Sequence, residues 1–397
     1  MTQPRPLHGI KILDFTRVYS GPYATRLLAD LGGDVLKVEH PQYGDDSRAF
    51  GPFIDGFSGY FETLNRGKRS IAVDYRVEAG QQLLRQIATR VDVLIENFRP
   101  GQMQRYHLDY ETLAALNPGL VYVSLSGFGQ TGPDAEQGCY DIVAQAMSGL
   151  LSLTGWPDQP LKTGPAIADA ISGLTAATGL LAALVGRART GCGAHLDVAM
   201  VDAVFACLEN GLVDYAVTRQ VPRRRGNADS VIAPFDSFRT SDGWIVIGAG
   251  NDRLWQALAQ VIDSALAIDT RFATNADRVQ NYLALQPILE KWCAAHETQA
   301  ALVSLHAAGV PAGPVLSIDE LACDPRLEAR GMLARLTLAS GTPITVPGSP
   351  ILIAGVESPT IRRGPHLGEH TQAVLLDELE FDPAEVQQLL QSGVIAG

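Results

Sequence analysis

Short, almost wholly apolar segments recur through the first 130 residues, and helical patterns separate them. They are Gly9–Asp14, Asp34–Glu39, Ser70–Asp74, Asp92–Glu96 and Leu120–Leu125. Strands with one solvated face alternate apolar and polar residues, whereas parallel strands covered by helices on both faces are apolar nearly throughout. The pattern therefore predicts an α/β fold with a Rossmann-like large domain built on a parallel sheet. No Gly-x-Gly-x-x-Gly follows the first segment, so the nicotinamide-binding fingerprint is absent.

The pattern changes at a basic segment, Val221–Gly226, that is bounded by Pro and Gly. Beyond it, the apolar runs 235–238 and 244–248 flank an Asp-Gly pair, which is typical of a β-hairpin, and helical patterns follow. We predict that residues 1–220 form the large domain and that 226–330 form a smaller α+β domain. The C-terminal segment, 331–397, is expected to return to the large domain and complete it.

Composition excludes several classes of function. Asp and Glu number 43 against 31 Lys and Arg, for a net charge of −12, which argues against non-specific binding to nucleic acid or an anionic membrane. No apolar run approaches the roughly 20 residues of a spanning helix. The five cysteines are scattered and form no Cys-x-x-Cys, which predicts reduced thiols, a cytoplasmic location and no metal site.

Asp169 is the only ionisable residue between Lys162 and Arg187, and the apolar run Ala170–Val185 after it predicts a buried helix. One interpretation is an ordinary N-cap, since Asp is preferred before an apolar helix. The other is a desolvated carboxylate kept ionised as a nucleophile by the N–H groups and dipole of the helix start. This stretch alone leaves both interpretations open.

Seven further motifs run in order along the chain. They are Leu13-Asp-Phe-Thr-Arg-Val-Tyr-Ser-Gly-Pro22, Gly33-Asp-Val-Leu-Lys-Val-Glu39, Gly44-Asp-Asp-Ser-Arg48, Asn65-Arg-Gly-Lys-Arg-Ser70, Glu96-Asn-Phe-Arg-Pro-Gly101, Gly127-Phe-Gly-Gln-Thr-Gly-Pro133 and Gly368-Glu-His-Thr371. In this order and spacing they resemble the class III CoA-transferases, the family of the formyl-CoA:oxalate and carnitine enzymes. Two segments, Ile232-Ala-Pro-Phe235 and Trp244–Asn251, are most similar to the succinyl-CoA:dicarboxylate branch, such as the glutarate transferase.

The resemblance implies that Asp169 is the nucleophile and carries an aspartyl-CoA thioester. It implies a CoA thioester as substrate, no permanently bound cofactor, and an interlocked homodimer. The expected reaction moves CoA from an acyl-CoA donor such as succinyl-CoA to a small dicarboxylic acid. Glutarate, itaconate, mesaconate, citramalate and oxalate all fit as the acceptor.

The same resemblance assigns the substrate contacts. Those to CoA fall on Val18, Tyr19, Ser20, His40, Lys68, Arg69, Asn97, Phe98, Arg99, Arg105 and Tyr140. His40 and Tyr19 depart from the formyl-type enzyme, which has Arg and Gln at these positions.

Two further assignments concern the reacting acid. Because Arg grips carboxylates bidentately, Arg48 is the first candidate for the distal carboxylate of the acceptor, and Arg17 is the second. Gly248 and Gly250 are candidates for the N–H donors to the tetrahedral intermediates, and an ordinary strand-end turn explains them equally well.

Three alternatives compete with transfer. The α-methylacyl-CoA racemases share the fold but need a His beside the Asp, and Tyr140 occupies the position of that His. A CoA-binding module without turnover is a second alternative, which Asp169 disfavours. A hydrolase is a third, but Ser124 and Ser126 do not form Gly-x-Ser-x-Gly.

Overall fold

In the computed structural model, which describes residues 3–397, the chain divides into two compact units. The first contains the residues up to Leu150 together with Thr163–Glu209 and Pro325–Gly397. The second contains Leu151–Lys162 and Asn210–Asp324. The domain boundaries inferred from the sequence stay a prediction.

The strands of the described chain are short, and most helices follow or precede one of them. The strands are β1 Lys11–Asp14, β2 Asp34–Glu39, β3 Phe53–Ile54, β4 Phe57–Ser58, β5 Arg69–Val73, β6 Val93–Glu96, β7 Val121–Ser126, β8 Gly155–Trp156, β9 Gln159–Pro160, β10 Ala194–Ala199, β11 Phe235–Arg239, β12 Trp244–Gly248, β13 Ala312–Pro314, β14 Leu333–Thr337, β15 Pro343–Pro347 and β16 Ile395–Ala396. The α-helices are α1 Ser20–Asp30, α2 Gly59–Asn65, α3 Glu78–Ala88, α4 Gln102–Arg105, α5 Tyr110–Leu116, α6 Asp141–Met147, α7 Leu150–Leu153, α8 Ile167–Thr190, α9 Met200–Phe205, α10 Gly211–Thr218, α11 Asp252–Ile262, α12 Asn275–Gln280, α13 Tyr282–Ala294, α14 Thr298–Ala307, α15 Ile318–Ala322, α16 Pro325–Ala329, α17 Thr371–Ala373 and α18 Pro383–Gln391.

The first unit is built on a seven-stranded sheet with the order β10-β7-β6-β1-β2-β5-β16. Every neighbouring pair is parallel except β5 and β16, where Ile395 pairs with Val73 in antiparallel register. The predicted α/β fold with a parallel sheet is confirmed. After β1, the chain first adds β2 and β5 on one side of it and then adds β6, β7 and β10 on the other. The strand order therefore reverses between β1 and β6.

Apolar side chains cover both faces of this sheet. One face packs Leu13, Leu36 and Ile71 against α3, and the other packs Ile12, Val93 and Val121 against α1 and α8. Because successive residues of a strand point to opposite faces, only strands that are apolar at every position can fill two such cores.

Helix α8 is longer and more apolar than the sequence analysis predicted. It has 24 residues, and an 18-residue window within it reaches a mean hydropathy of 1.6. Of the residues in that window, 33% are buried. By length and composition alone it could span a membrane, so the prediction that no such run exists was wrong. The helix packs along α1 and β10, and core helices of globular proteins pass the same test. Its Gly173 lies so close to Ser20 that an added Cβ would be 2.5 Å from the Ser20 carbonyl oxygen.

The second unit contains the predicted hairpin. Strands β11 and β12 pair antiparallel, with Phe235 opposite Gly248, and β13 extends the sheet. Phe238, Ile245 and Trp255 are buried in the core between this sheet and its helices. Helix α10 contributes no buried residue.

Candidate active site

Asp169 is the third residue of α8, which begins at Ile167 and has Ala166 at its N-cap. The interpretation of Asp169 as the N-cap is therefore wrong. The exposed N–H groups of this helix start are occupied by another residue, because Asp141 Oδ1 accepts hydrogen bonds from the backbone nitrogens of Ala168 at 2.8 Å and of Asp169 at 3.3 Å. The N–H groups expected to hold the charge of Asp169 hold that of Asp141 instead.

Asp141 is fixed by its own neighbours. It opens α6, and its Oδ2 accepts a hydrogen bond from Gln145 Nε2 at 2.7 Å. Gln145 also bonds Thr163 twice, since its Nε2 lies 3.1 Å from Thr163 Oγ1 and its Oε1 accepts from Thr163 N at 3.1 Å. This network ties the segment before α8 to α6, so the distance between the two aspartates is set by several bonds.

The Asp169 carboxylate is poorly stabilised as an anion. Burial raises its pKa, and the charge of Asp141 raises it further, to about 7. Within residues 3–397, no group donates a hydrogen bond to this carboxylate. A partly buried carboxylate without a donor suits a nucleophile.

A cavity of about 670 Å³ opens beside Asp169 at the carboxyl ends of the parallel strands. Its walls come from the loops after β1, β6 and β7, the first two of which flank the reversal in strand order, where open α/β sheets bind ligands. Two side-chain bonds join these loops: Arg17 N donates to Asn97 Oδ1 at 2.9 Å, and Asn97 Nδ2 donates to the Arg17 carbonyl at 2.8 Å.

The loop after β1 holds a strained conformation. Val18 has a φ of 69°, in the left-handed region that a β-branched residue rarely adopts. Its N–H donates to Asp45 Oδ1 at 3.1 Å, and Asp45 Oδ2 forms a buried ion pair with Lys37 Nζ at 2.8 Å. Lys37 holds the pKa of Asp45 well below its usual range despite burial, so the anchor of this loop stays ionised. Strained residues of this kind are held in place by the surrounding structure, and they are common in the loops of functional sites.

Three tyrosine rings cluster near Asp169, and one of them, Tyr19, lines the cavity. Tyr19 stacks on Tyr23 with ring centroids 5.7 Å apart, and Tyr60 packs edge-on to Tyr19 at 6.1 Å. Burial raises the pKa values of Tyr19 and Tyr60, and the charge of Asp169 contributes to both shifts. Their hydroxyls therefore stay protonated and able to donate.

Positive charge gathers elsewhere on the cavity wall, around His40. The His40 ring stacks on Tyr43 with centroids 4.3 Å apart, and the guanidinium of Arg76 contacts His40 Nε2. Burial, and next the charge of Arg76, lower the pKa of His40, so the cation at this place is Arg76. Arg99 adds a second guanidinium to the wall.

Comparison with known proteins identifies the family. The model of CoA-transferase family III matches residues 7–371. The chain belongs to CoA-transferase family III. It is 40% identical to a succinate–glutarate CoA-transferase of Agrobacterium fabrum, over 94% of this chain and 96% of that protein. It is 42% identical to an acetyl-CoA:oxalate CoA-transferase of Acetobacter aceti, over 93% and 95%. A crystal structure of a CAIB/BAIF family protein from Brucella suis superposes with a TM-score of 0.82 at 40% identity, over 94% of this chain and 100% of that one.

Membership of CoA-transferase family III makes the protein a CoA-transferase and a CoA thioester its substrate. Most of the residues assigned by resemblance line the one cavity beside Asp169. These are Arg17, Val18, Tyr19, Ser20, His40, Asn97, Phe98, Arg99, Tyr140 and Asp169 itself.

Three of the basic residues assigned to CoA lie outside this cavity. Lys68 Nζ is fully buried and binds Asp14 Oδ2 at 3.1 Å, so a phosphate contact would require this cluster to open. Arg69 pairs with Asp34 at 2.7 Å and with Glu378. Arg105 is exposed at the end of α4.

Arg48, the first candidate for the acceptor carboxylate, is already engaged. Its Nε and one NH2 hydrogen bond Glu39 at 2.8 and 2.7 Å, the same NH2 reaches the Pro365 carbonyl at 3.0 Å, and the guanidinium lies 3.7 Å from the Phe61 ring centroid. The fork that would grip a substrate carboxylate grips Glu39, and this corrects the picture drawn from the sequence.

Gly248 and Gly250 belong to the second unit. Gly248 ends β12 opposite Phe235, and an added Cβ at Gly250 would lie 3.4 Å from Ile232. A role as N–H donors stays a prediction.

Family relatives do not favour the racemase alternative, because both relatives named above are CoA-transferases. Tyr140, at the position of the racemase histidine, is 73% exposed. Among the described residues, His40 is the one histidine of the cavity wall, and it stacks on Tyr43 beside Arg76.

Sequence reasoning missed three residues of this site: Asp141, Arg76 and Ser126. Arg76 and Ser126 could have been found, because each lies at or just after the carboxyl end of a predicted strand. Asp141 does not follow a predicted strand, so its place beside Asp169 could not be inferred in this way.

Proposed function

We propose that the protein moves CoA from an acyl-CoA donor, first of all succinyl-CoA, to a small dicarboxylic acid through an aspartyl-CoA thioester on Asp169. The state of the Asp169 carboxylate is the observation that carries the proposal. It borders the cavity, it has no hydrogen-bond donor among the described residues, and its pKa is raised to about 7. Such a carboxylate is a better nucleophile than a hydrated one.

The transfer conserves charge and needs no co-reactant. A carboxylate oxygen of Asp169 attacks the thioester carbon and the C–S bond breaks. CoA leaves as a thiolate, and a mixed anhydride between Asp169 and the acyl group remains. The thiolate then attacks the Asp169 carbonyl carbon and releases the donor acid as a carboxylate. The acceptor carboxylate attacks the aspartyl thioester and expels the thiolate, which attacks the acyl carbon of the new anhydride and restores Asp169.

Charge complementarity supports the placement of CoA. Its phosphates suit the side of the cavity where Arg99 lies, since guanidinium groups bind phosphate oxygens; Arg76 lies on the same wall and pairs with Asp74 at 3.0 Å. The pantetheine arm would follow the loop at Val18, Tyr19 and Ser20 toward Asp169, as the resemblance implies.

For the acceptor, we assign the distal carboxylate to Arg17. It borders the cavity, its side chain is 42% exposed, and its nearest acid is Asp46 at 3.6 Å, so its fork is available. The relatives named for glutarate and oxalate indicate that chain length of the diacid is the variable to test.

We also infer that the protein acts as an interlocked homodimer in the cytoplasm. The homodimer rests on the family resemblance, and the location rests on five scattered cysteines without a paired motif. Light scattering that gives a monomer at working concentration would contradict the dimer.

The test of the function follows new acyl-CoA species by mass spectrometry. The purified protein is incubated with succinyl-CoA and, in turn, oxalate, glutarate, itaconate, mesaconate and citramalate. We expect a new acyl-CoA with at least one acid, together with an adduct of CoA on the intact protein that maps to Asp169. Asp169→Ala should abolish both, while Asp319→Ala, at an exposed residue in the first turn of α15, should change neither.

No exchange with any acid, or a transfer that survives Asp169→Ala, would overturn the proposal. Exchange of the α-proton of a branched acyl-CoA without transfer would point to the racemase chemistry.

A further inference from the structure

The hydroxyl of Ser126 is buried at the cavity without a protein partner. Ser126 is the last residue of β7 and is 7% exposed. Its Oγ finds no hydrogen-bond partner among residues 3–397, and the residue lines the same cavity as Asp169. Buried polar groups in folded proteins are almost always paired, so an unpaired one at a cavity wall calls for an explanation.

The neighbours of Ser126 place it on the side of the cavity near Asp169. The next residue, Gly127, lies directly against Cys139, since an added Cβ would be 2.1 Å from Cys139 Cβ. Burial, and next the charge of Asp169, raise the pKa of the Cys139 thiol to about 11, so Cys139 lies within electrostatic reach of Asp169. Gly127, the residue after Ser126, and Asp169 therefore share Cys139 as a neighbour.

Apolar residues lie next to Ser126 on the strands. Leu125 precedes it and lines the cavity with it, and Ala199 is its register partner on β10. A hydrogen bond made by a buried group is stronger than one in water, and an unmade one costs more. A single O–H donor can serve one carbonyl oxygen, whereas a carboxylate would need a cation or several donors.

When Asp169 attacks the thioester carbon, negative charge develops on the carbonyl oxygen of the thioester. A preorganised donor aimed at this oxygen would stabilise the tetrahedral intermediate. We propose that Ser126 Oγ donates a hydrogen bond to this oxygen and is a catalytic residue of the transfer. The inference rests on the proposed function. The proton stays on Ser126 throughout, and no bond to Oγ forms.

The test compares Ser126→Ala with Ser126→Thr, which keeps a hydroxyl, and with Ser349→Ala. Ser349 is a matched control because it is 6% exposed and lies outside the cavity. Three quantities are measured: the single-turnover rate of aspartyl-CoA formation on the intact protein, the KM of the acceptor acid, and the Kd of CoA.

For Ser126→Ala we expect a rate about 100-fold lower, the typical effect of losing one such donor. The Kd of CoA and the KM of the acceptor should stay within about twofold, Ser126→Thr should restore most of the rate, and Ser349→Ala should match the wild type. The thermal midpoint of Ser126→Ala should not fall, since removing an unpaired buried hydroxyl leaves no partner unsatisfied.

Several results would overturn the assignment. A rate within twofold of the wild type, or a rise confined to the KM of the acceptor, would remove Ser126 from the thioester carbonyl. A lowered thermal midpoint with a rate loss that Ser126→Thr does not restore would make the role structural. These outcomes differ from failure of the proposed function, in which the wild type itself forms no aspartyl-CoA.

Discussion

Asp141 and Asp169 share one helix start, with Asp141 Oδ1 3.3 Å from the backbone nitrogen of Asp169 and 2.8 Å from that of Ala168. Asp141 takes the N–H groups of the first turn, and its charge opposes ionisation of the neighbouring carboxylate. One carboxylate therefore has backbone donors and the other has none, and burial, then the charge of Asp141, raise the pKa of Asp169 to about 7. A carboxyl group with a pKa raised in this way beside a cavity is typical of functional sites.

Asp141→Asn should shift the pH dependence of aspartyl-CoA formation toward acid. In the proposed mechanism Asp169 reacts as the carboxylate, so the rate should rise with pH through about 7 in the wild type and level off above it. The amide oxygen of Asn can still accept from the two N–H groups, but its charge is gone, so the midpoint of the rise should fall. An unchanged midpoint would leave burial as the whole cause.

The matched variant Asp141→Ala separates charge from capping. It removes the acceptor as well as the charge, and we expect it to lower the free energy of unfolding by about 1 kcal/mol, the usual value of a capping bond. Urea denaturation at one pH compares the two variants, and equal stability of both would contradict the capping role.

Asp169→Asn should stabilise the fold, and the gain should depend on pH. The folded pKa of Asp169, about 7, lies above the ordinary value of 3.8, so ionisation in the folded state costs free energy that grows as pH rises toward 7. From pH 5 to pH 8 the gain from the substitution should increase by roughly 2–3 kcal/mol. Thermal unfolding of both proteins at the two pH values measures it, and a constant gain would contradict the raised pKa.

Arg48→Ala should lower the stability of the protein, whereas Arg17→Ala should weaken the binding of the acceptor. Loss of Arg48 leaves Glu39, which is 2% exposed, without its bidentate partner and should cost about 2–3 kcal/mol of stability. Loss of Arg17 should leave stability within about 0.5 kcal/mol, because the side chain is largely exposed, and raise the KM of the acceptor about tenfold. Urea denaturation measures the stability of each variant, and initial rates give the KM of the acceptor. A raised acceptor KM in an Arg48→Ala variant that stays stable would assign the distal carboxylate to Arg48 instead of Arg17.

Arg76→Ala should weaken binding of CoA thioesters. Arg76 borders the cavity and pairs with Asp74 at 3.0 Å, so a bound phosphate would share its guanidinium, and the KM of succinyl-CoA should rise severalfold with kcat nearly unchanged. Arg85→Ala is the control, since Arg85 pairs with Glu78 outside the cavity. Equal KM values in the two variants would exclude Arg76 from the phosphate site.

Ile395→Ala tests how far the C-terminus stabilises the first unit. Ile395 is 2% exposed and pairs with Val73 at the edge of the sheet, so its truncation should cost about 2–4 kcal/mol. Ile268→Ala, at a residue 85% exposed, should stay within about 0.5 kcal/mol. Urea denaturation gives both values, and equal loss would contradict the packing of β16.

Local pattern predicted most of the sheet. Segments such as Leu120–Leu125, which is apolar except at Ser124, are typical of a parallel sheet that helices cover on both faces. The two-residue strand β16 was missed, because two residues carry no period and its pairing depends on β5, some 320 residues earlier in the chain.

Residues that the family resemblance assigns to the substrate lie together where they follow neighbouring strands, whereas acids already hold two of the assigned cations. Residues after β1 and β6, such as Tyr19 and Asn97, lie together because the carboxyl ends of parallel strands meet at one edge. Lys68 and Arg48 carried the right charge for a substrate, but buried acids hold both of them.

The sequence by itself determined the class of fold and the family, because these depend on the order of apolar segments and on short motifs, and the family resemblance is what assigns Asp169 as the proposed nucleophile. Only the tertiary structure decided which charges remain available and which carboxylate is left without donors. The reason is physical: an ion pair or hydrogen bond is set by distance in space. Asp141 and Asp169 are 28 residues apart, and Asp14 and Lys68 are 54 apart.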